Sequence, residues 1–351
     1  MKLKYIKKRT AVLCLALSMM MTSLTGCGKD TKLVFTTGLS GNQLFKIGST
    51  TCTLPEVMIY LTTFYNQYAD TYGTEMWQYD FGGVSLEEHV KDVVLSKTAQ
   101  IKIMNLMAKE RNITLTTEEE KKISAAAECY YEALSEELKK RENITMETVE
   151  TVYREYTLAN KVYAHITEAA DMEISDDEAR TVTVQEIYLK TWKTIDGEKV
   201  SMTEEEKLQV AKQGKKILER LEAGEDFAVV AAEVSDDKQF VKNYARGMAA
   251  SSLEEVLFSL DEGAISEVIG TSEGYYVVKC ISTMDYKATQ ENKLVLAEQR
   301  KKEAFSEAYM EIAKNTHSQF RDKQWEKLVL NEEIHSTEAN FFEIYEEYIK
   351  Q

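Results

Sequence analysis

Histidine is the scarcest chemically active residue of this sequence, four in a chain of 351. His89, His165, His317 and His335 form no HxxH or HExxH spacing, and no CxxC occurs, so no metal ligand set is visible and no metal is expected. Cysteine is nearly as sparse. Cys14 and Cys27 fall near the N-terminus; Cys52, Cys129 and Cys280 are an odd, widely spaced remainder that implies no disulfide framework. Three buried apolar thiols are the expectation, with a Cys52–Cys280 pair as the alternative. A Gly-rich phosphate-binding loop with its lysine is missing, so neither ATP nor any other cofactor is expected. Positive charge is in deficit, with 43 Lys and Arg against 59 Asp and Glu, which disfavours nucleic acid as a partner. Beyond the N-terminus no apolar run is long enough to span a bilayer.

What is present begins with Met1 to Cys27. Lys2, Lys4, Lys7, Lys8 and Arg9 precede an apolar stretch from Ala11 to Leu24, and Leu24-Thr25-Gly26-Cys27 closes it with small residues before a cysteine. That pattern reads as a lipoprotein signal over residues 1–26, with Cys27 as the lipidated first residue of the mature chain. Two or more acyl chains on Cys27 give a stable anchor. The expected location is the extracytoplasmic face of the cell membrane, held by lipid. Loss of the signal removes five basic residues and moves the formal charge from −16 to −21; solvated helix faces account for that acidity.

Residues 27–45 read as a tether and the start of a hairpin, in which Leu33-Val34-Phe35 and Leu44 to Ile47 flank a loop from Gly38 to Asn42. Residues 46–178 are chiefly helical. Thr53 and Glu56 have capping-box spacing around Pro55, the only proline, and Val57, Tyr60, Leu61, Phe64, Tyr65 and Tyr68 follow at helical intervals to a stop near Gly73. Ser85 and Glu88 open a second helix that closes near Asn112, Thr117 to Glu120 a third, and Thr145 a fourth. Tyr60, Phe64, Tyr68, Met104 and Met107 are either core or the lining of a client-binding cradle. At Thr181 the period changes to alternation. Residues 179–285 read as β-α-α-α-β-β: a strand from Thr181, helices from Thr203 to Gly224, Phe227 to Val234 and Ser252 to Leu260, and strands at Ile265 to Ile269 and Tyr275 to Ile281. Lys193 to Lys199, carrying Asp196-Gly197, is a turn or loop in this reading. Residues 286–351 return to a helical pattern, and this tail is expected to pack on the N-terminal helices. The fold class is α+β.

Four ordered blocks carry a resemblance: Leu221 to Ala228, Ala232 to Asp237, Phe258 to Glu267, and Glu273 to Lys279. Together they resemble a parvulin-type (PpiC-type) peptidyl-prolyl isomerase domain covering about Thr181 to Asp285. The flanking helices, with Asn112 to Glu119, resemble the chaperone region of the PrsA/SurA-type foldases, and the lipid anchor resembles the PrsA branch. The resemblance implies a discontinuous helical chaperone domain, built from N- and C-terminal segments, into which the parvulin-like domain is inserted.

In parvulins the X-Pro bond, whose barrier is about 18–20 kcal/mol, is twisted without covalent chemistry above a hydrogen-bonded cluster containing two histidines and a Cys or Asp. All three of those positions differ here: Glu186 stands in the first strand and Tyr276 in the last where the resemblance implies histidine, and Val241 to Tyr244 supplies neither acid nor thiol. Glu186 and Tyr276 are therefore the candidate catalytic positions, either as a carboxyl–phenol pair replacing the imidazoles or as filler in a groove that has lost catalysis. Met248, Leu253, Phe258 and Tyr275 are the candidate proline or peptide pocket. The resemblance implies a membrane-anchored foldase or holdase acting on unfolded exported polypeptides, with isomerase activity weak or lost. An active isomerase with substituted pocket residues and a solute-binding lipoprotein are the alternatives; monomer and homodimer are both open.

Overall fold

Phe45 and Ile47 are buried with Lys46 exposed between them, which suits a strand with one face on a core, and Leu44 is buried beside them where the pairing is irregular. The computed structural model describes residues 38–39, 41–80, 83–169, 173–330, 334–335 and 340–350. The signal, Cys27 and the expected strand at Leu33 to Phe35 lie outside the described residues. The chain forms two units, one from Met1–Ala170 with Lys302–Gln351 and the other from Asp171–Lys301. Among the described residues no helix is long and apolar enough to cross a membrane.

In the first unit β1 (Gln43–Ile47) pairs antiparallel with β2 (Thr50–Thr53). The two-residue connection puts Gly48 at φ 55°, a conformation that costs glycine little. Helix α1 (Leu54–Tyr72) begins at once, with Glu56 accepting the Thr53 N–H at 3.3 Å and Pro55 in its first turn. A 3-10 turn (Thr74–Gln78) leads to α2 (Leu86–Glu110), whose Ser85/Glu88 capping box is formed as the spacing predicts. Thr116 and Glu119 cap α3 (Thr117–Ala133). A short α4 (Glu136–Glu142), absent from the sequence reading, precedes α5 (Met146–Ala169).

The second unit opens with β3 (Thr181–Lys190). The segment expected to be a turn or loop is a hairpin, β4 (Trp192–Ile195) and β5 (Glu198–Ser201), turning at Asp196-Gly197. Its turn puts Asp196 at φ 51° and Gly197 at φ 86°, the paired left-handed conformation that Asp-Gly adopts readily between antiparallel strands. Then come α6 (Glu204–Glu222), α7 (Phe227–Val234), β6 (Val241–Ala245), α8 (Ser251–Ser259), β7 (Ile269–Gly270) and β8 (Gly274–Ser282). The expected β-α-α-α-β-β frame is present, with the hairpin and β6 added to it. Four strands form one sheet in the order β6-β3-β8-β7, with β6–β3, β3–β8 and β8–β7 all antiparallel. The strand expected from Ile265 is shorter, a single bridge from Ile265 to Lys279 followed by β7.

Helix α9 (Tyr286–Asn315) begins in the second unit and ends in the first. The helical pattern expected beyond Asp285 is interrupted after Asn315, because Thr316 turns its hydroxyl back onto the Ile312 carbonyl (2.7 Å) and β9 (Ser318–Phe320) pairs with β1. Helices α10 (Asp322–Glu326) and α11 (Phe341–Tyr348) finish the chain. The segment from Lys302 belongs to the first unit. Phe341 is fully buried, with ring centroids 4.2 Å from Tyr153, 5.0 Å from Tyr60 and 5.3 Å from Tyr156. Its backbone is fixed too: its N–H donates to Thr63 Oγ1 (3.1 Å) and its carbonyl accepts from the Tyr153 hydroxyl (3.1 Å).

One ion-pair cluster lies inside this unit. Lys102 is buried and donates to Glu56 (2.6 Å) and Glu155 (2.7 Å), which supplies the partners a buried cation requires. Cys52 and Cys280 are buried and Cys129 half-buried, all as free thiols, and burial pushes the Cys52 and Cys280 thiols up, out of the reactive range.

Candidate functional site

Register decides which side chains of the second unit can meet. Directly paired residues of antiparallel strands share a face, so β3 residues Val182, Val184, Glu186 and Tyr188 stand with Val278 and Tyr276 of β8 and with Lys242 and Tyr244 of β6. Helix α8 covers part of that face, burying Leu253 and Leu257 against Val182, Val184 and Val278. The other face carries Ile187, Leu189 and Val277 against Ile217, Leu221 and Phe227 of α6 and α7.

Glu186 sits in the middle of the first face with 1% of its surface exposed. A carboxylate so placed must be hydrogen-bonded or paired. Its Oε1 accepts from Lys242 Nζ at 2.9 Å and its Oε2 from the Tyr244 hydroxyl in a short hydrogen bond. Lys242 also reaches Asp237 Oδ2 at 2.8 Å. Burial alone would depress the Lys242 ammonium, but its bonds to Asp237 and Glu186 outweigh that and hold its pKa above the usual lysine value. Burial and then the bond to Glu186 push the Tyr244 phenol well above its ordinary range.

Tyr276 lies elsewhere on the same face. It pairs with Tyr188 in register, and the rings are 4.9 Å apart and tilted. Desolvation first, then Tyr188 and Glu186, raise its phenol from 10.0 to about 12, against lowering contributions from Lys242 and Thr271. Tyr188 in turn donates to the Glu273 carbonyl (2.9 Å) and accepts from Trp192 Nε1 (3.0 Å). The carboxyl–phenol pair expected between Glu186 and Tyr276 is thus formed with a different phenol. Glu186 faces Val278 across the ladder, and Tyr276 is one pair further along, where an aromatic neighbour is available. Strand β6 brings Tyr244 to the carboxylate instead. The cue in sequence was the alternation of Lys242 and Tyr244, which is too short to stand out.

The four pocket candidates do not converge. Leu253 is core, 3% exposed, and Met248 is 66% exposed, its Sδ accepting the Ala245 N–H at 3.4 Å. Phe258, half-buried beside them on α8, lies beneath two guanidiniums, Arg246 at 4.7 Å from its ring centroid and Arg180 at 5.1 Å. Tyr275 belongs to the opposite face, packed on the α6–α7 core, because side chains of adjacent strand residues point to opposite sides. Lys242, Tyr244, Arg180 and Arg246 are the residues that sequence reasoning missed.

Of the candidate cradle residues in the first unit, Tyr60, Met104 and Met107 are core, and Phe64 and Tyr68 pack against them. A cleft of about 680 Å³ in that unit is lined instead by Gly48, Ser49, Leu106, Lys109, Ile312 and His317, among others. Among the described residues no group of three or more His, Cys, Asp or Glu could hold a metal ion. The repeated α/β lobes that a solute-binding protein requires are not found among them either.

Residues 191–282 match the rotamase family, described as a PPIC-type PPIase domain, beginning one residue past β3. Two curated relatives are foldase proteins PrsA. That of Caldanaerobacter subterraneus subsp. tengcongensis is 27% identical over 60% of this chain and 63% of its own length. That of Clostridium botulinum is 26% identical over 74% and 80%. The chain is a relative of the PrsA foldases with a parvulin-type domain. It spans less than two thirds of the first of these PrsA proteins. A solved structure, the peptidylprolyl isomerase PrsA of Bacillus cereus, aligns over 90% of this chain and 98% of its own at 16% identity and TM-score 0.36. The match to the PPIC-type domain takes in β4 to β8 and leaves Glu186, on β3, outside it.

Proposed function

We propose that this protein is an extracytoplasmic folding factor, held on the cell membrane by lipid on Cys27, that binds unfolded exported polypeptides and has weak or lost prolyl isomerase activity. The observation that carries the second half is the centre of the parvulin-type sheet. Where imidazoles are expected from the resemblance, Glu186 is locked by Tyr244 and Lys242, and Tyr276 packs against Tyr188 with its ring tilted. Such a floor is rigid and already satisfied, with little capacity left to answer a twisting amide.

Client binding needs no nucleotide and works through extended backbone and apolar side chains. The test uses the mature chain. Suppression of aggregation of a reduced, proline-poor client is expected, together with little acceleration in a protease-coupled proline assay. Absence of suppression counts against the folding role; strong acceleration that Phe258→Ala and Tyr276→Ala both abolish makes the protein a working isomerase instead. Globomycin-sensitive processing at Cys27 checks the anchor, and sedimentation mass separates monomer from homodimer.

A further inference from the structure

Strand β6 is an outer strand of its sheet, and its ladder fixes which of its main-chain groups are used. The Glu186 N–H donates to the Phe240 carbonyl at 2.7 Å, in register with the pairs Val184–Lys242 and Val182–Tyr244. Ladder bonds of an antiparallel pair fall on alternate residues. Phe240, Lys242 and Tyr244 therefore turn their N–H and C=O groups to β3, and Val241, Asn243 and Ala245 turn theirs outward. Ala245 is closed off locally: its N–H meets Met248 Sδ at 3.4 Å, and its carbonyl accepts the Met248 N–H at 3.3 Å. Among the described residues nothing pairs with the outward groups of Val241 and Asn243. Val241 is 57% exposed, and Asn243 is exposed with its Oδ1 turned back to Thr183 Oγ1 at 2.8 Å.

Natural sheets blunt such an edge with proline, a bulge, an outward lysine or brevity. The opposite edge is blunted in the last way, β7 being two residues long. Strand β6 has five residues, regular pairing and no proline, and its one lysine is drawn inward, held by Glu186 (2.9 Å) and Asp237 (2.8 Å). We propose that the outer edge of β6 docks an extended segment of an unfolded polypeptide, which joins the sheet as a fifth strand through Val241 and Asn243. The inference rests on the folding role proposed above and names one place where a client is held. The two outward residues offer two donors and two acceptors at strand spacing, a pattern that an extended backbone answers. Side-chain selection is slight, favouring a β-branched residue opposite Val241. A second copy is the poorer occupant, because a stable dimer buries about 1,200–2,000 Å² and a five-residue edge offers far less.

The test adds the peptide Arg-Thr-Val-Thr-Val-Thr-Arg, capped at both ends, to the full mature chain and follows amide exchange residue by residue. An amide protected only in the complex slows by one plus the ratio of peptide concentration to Kd, about tenfold with peptide at ten times Kd. That slowing is expected at Val241 and Asn243, while Lys242 and Tyr244, already bonded to β3, change little. Val241→Pro and Asn243→Pro remove outward N–H groups without touching a β3–β6 bond, and each should weaken peptide binding at least about threefold. Exchange at Val182 and Val184, whose amides face β6, checks that the sheet stays closed in these variants; if it opens, the wild-type pattern alone decides. A peptide that does not bind, or that binds without slowing Val241 and Asn243, overturns the proposal, as does full affinity in both proline variants with the sheet closed. Slowing that needs no peptide and grows with protein concentration assigns the edge to a second copy and overturns it too. The folding role is judged apart: aggregation suppression by the wild-type chain without protection of the edge strikes the docking edge alone.

Discussion

A carboxylate that is 1% exposed survives in a sheet only while its partners do. Tyr244→Phe leaves Glu186 Oε2 without its donor and is expected to cost about 1–3 kcal/mol, read from urea unfolding. Glu186→Gln in that background should recover part of the loss, because a neutral amide is less costly to leave half-satisfied. Tyr276 supplies a pH signature. Its phenol holds its proton to about pH 12 in the folded chain against 10.0 ordinarily, so between those values the unfolded chain binds fewer protons than the folded one. Its contribution is therefore complete below pH 10 and is lost as pH rises through about 12. The urea midpoint of Tyr276→Phe should decline less steeply over that range than that of wild type. At this scale sequence found Glu186 and Tyr276 by position in a pattern, but which phenol meets the carboxylate depended on cross-strand register. A two-residue alternation in Val241 to Ala245 is too weak a trace of β6 to announce Tyr244.

Elements whose ends carry their own chemistry were legible. The Ser85/Glu88 and Thr203/Glu206 boxes start helices where the spacing says they must, and Gly73 and Gly224, at φ 83° and 95°, follow the helices they close. Elements defined by a distant partner were not. Strands β2, β6 and β9 are short and exist through what they pair with, and the Asp196-Gly197 hairpin lacks the flanking alternation that marks longer strands. Gly274 shows how tight such pairing is. A Cβ there would lie 2.3 Å from the Leu189 carbonyl oxygen and 2.7 Å from the Tyr188 ring, so the two strands can close only over glycine. Gly274→Ala is expected to cost at least about 2 kcal/mol, an overpacking penalty. It should also raise amide exchange at Thr191, whose N–H donates to Glu273 beside it.

At the scale of the whole molecule, the order helix, mixed, helix was readable because hydrophobic period changes from 3.6 to 2 at Thr181 and back after Asp285. The depth to which the last helix is buried was not readable, since α11 is short and its pattern says nothing of what receives Phe341. Phe341→Ala should cost the first unit about 3–5 kcal/mol. Hydrogen exchange should then rise across α1 and α5 while the sheet of the second unit keeps its protection.

The first unit draws its two ends from opposite extremes of the chain, Phe45 pairing with Phe320 and Tyr60 packing on Phe341, whereas the second is one uninterrupted stretch. Synthesis is vectorial, and this sets a timetable. The parvulin-type unit has all its own strands once Ser282 has emerged, while Leu44, Phe45 and Ile47 must wait, apolar and with one edge unpaired, until Ser318 to Phe320 have been made. A polypeptide terminated before Ser318 would therefore carry a finished parvulin-type sheet beside an open hydrophobic hairpin, and so would itself need the kind of help this protein is proposed to give.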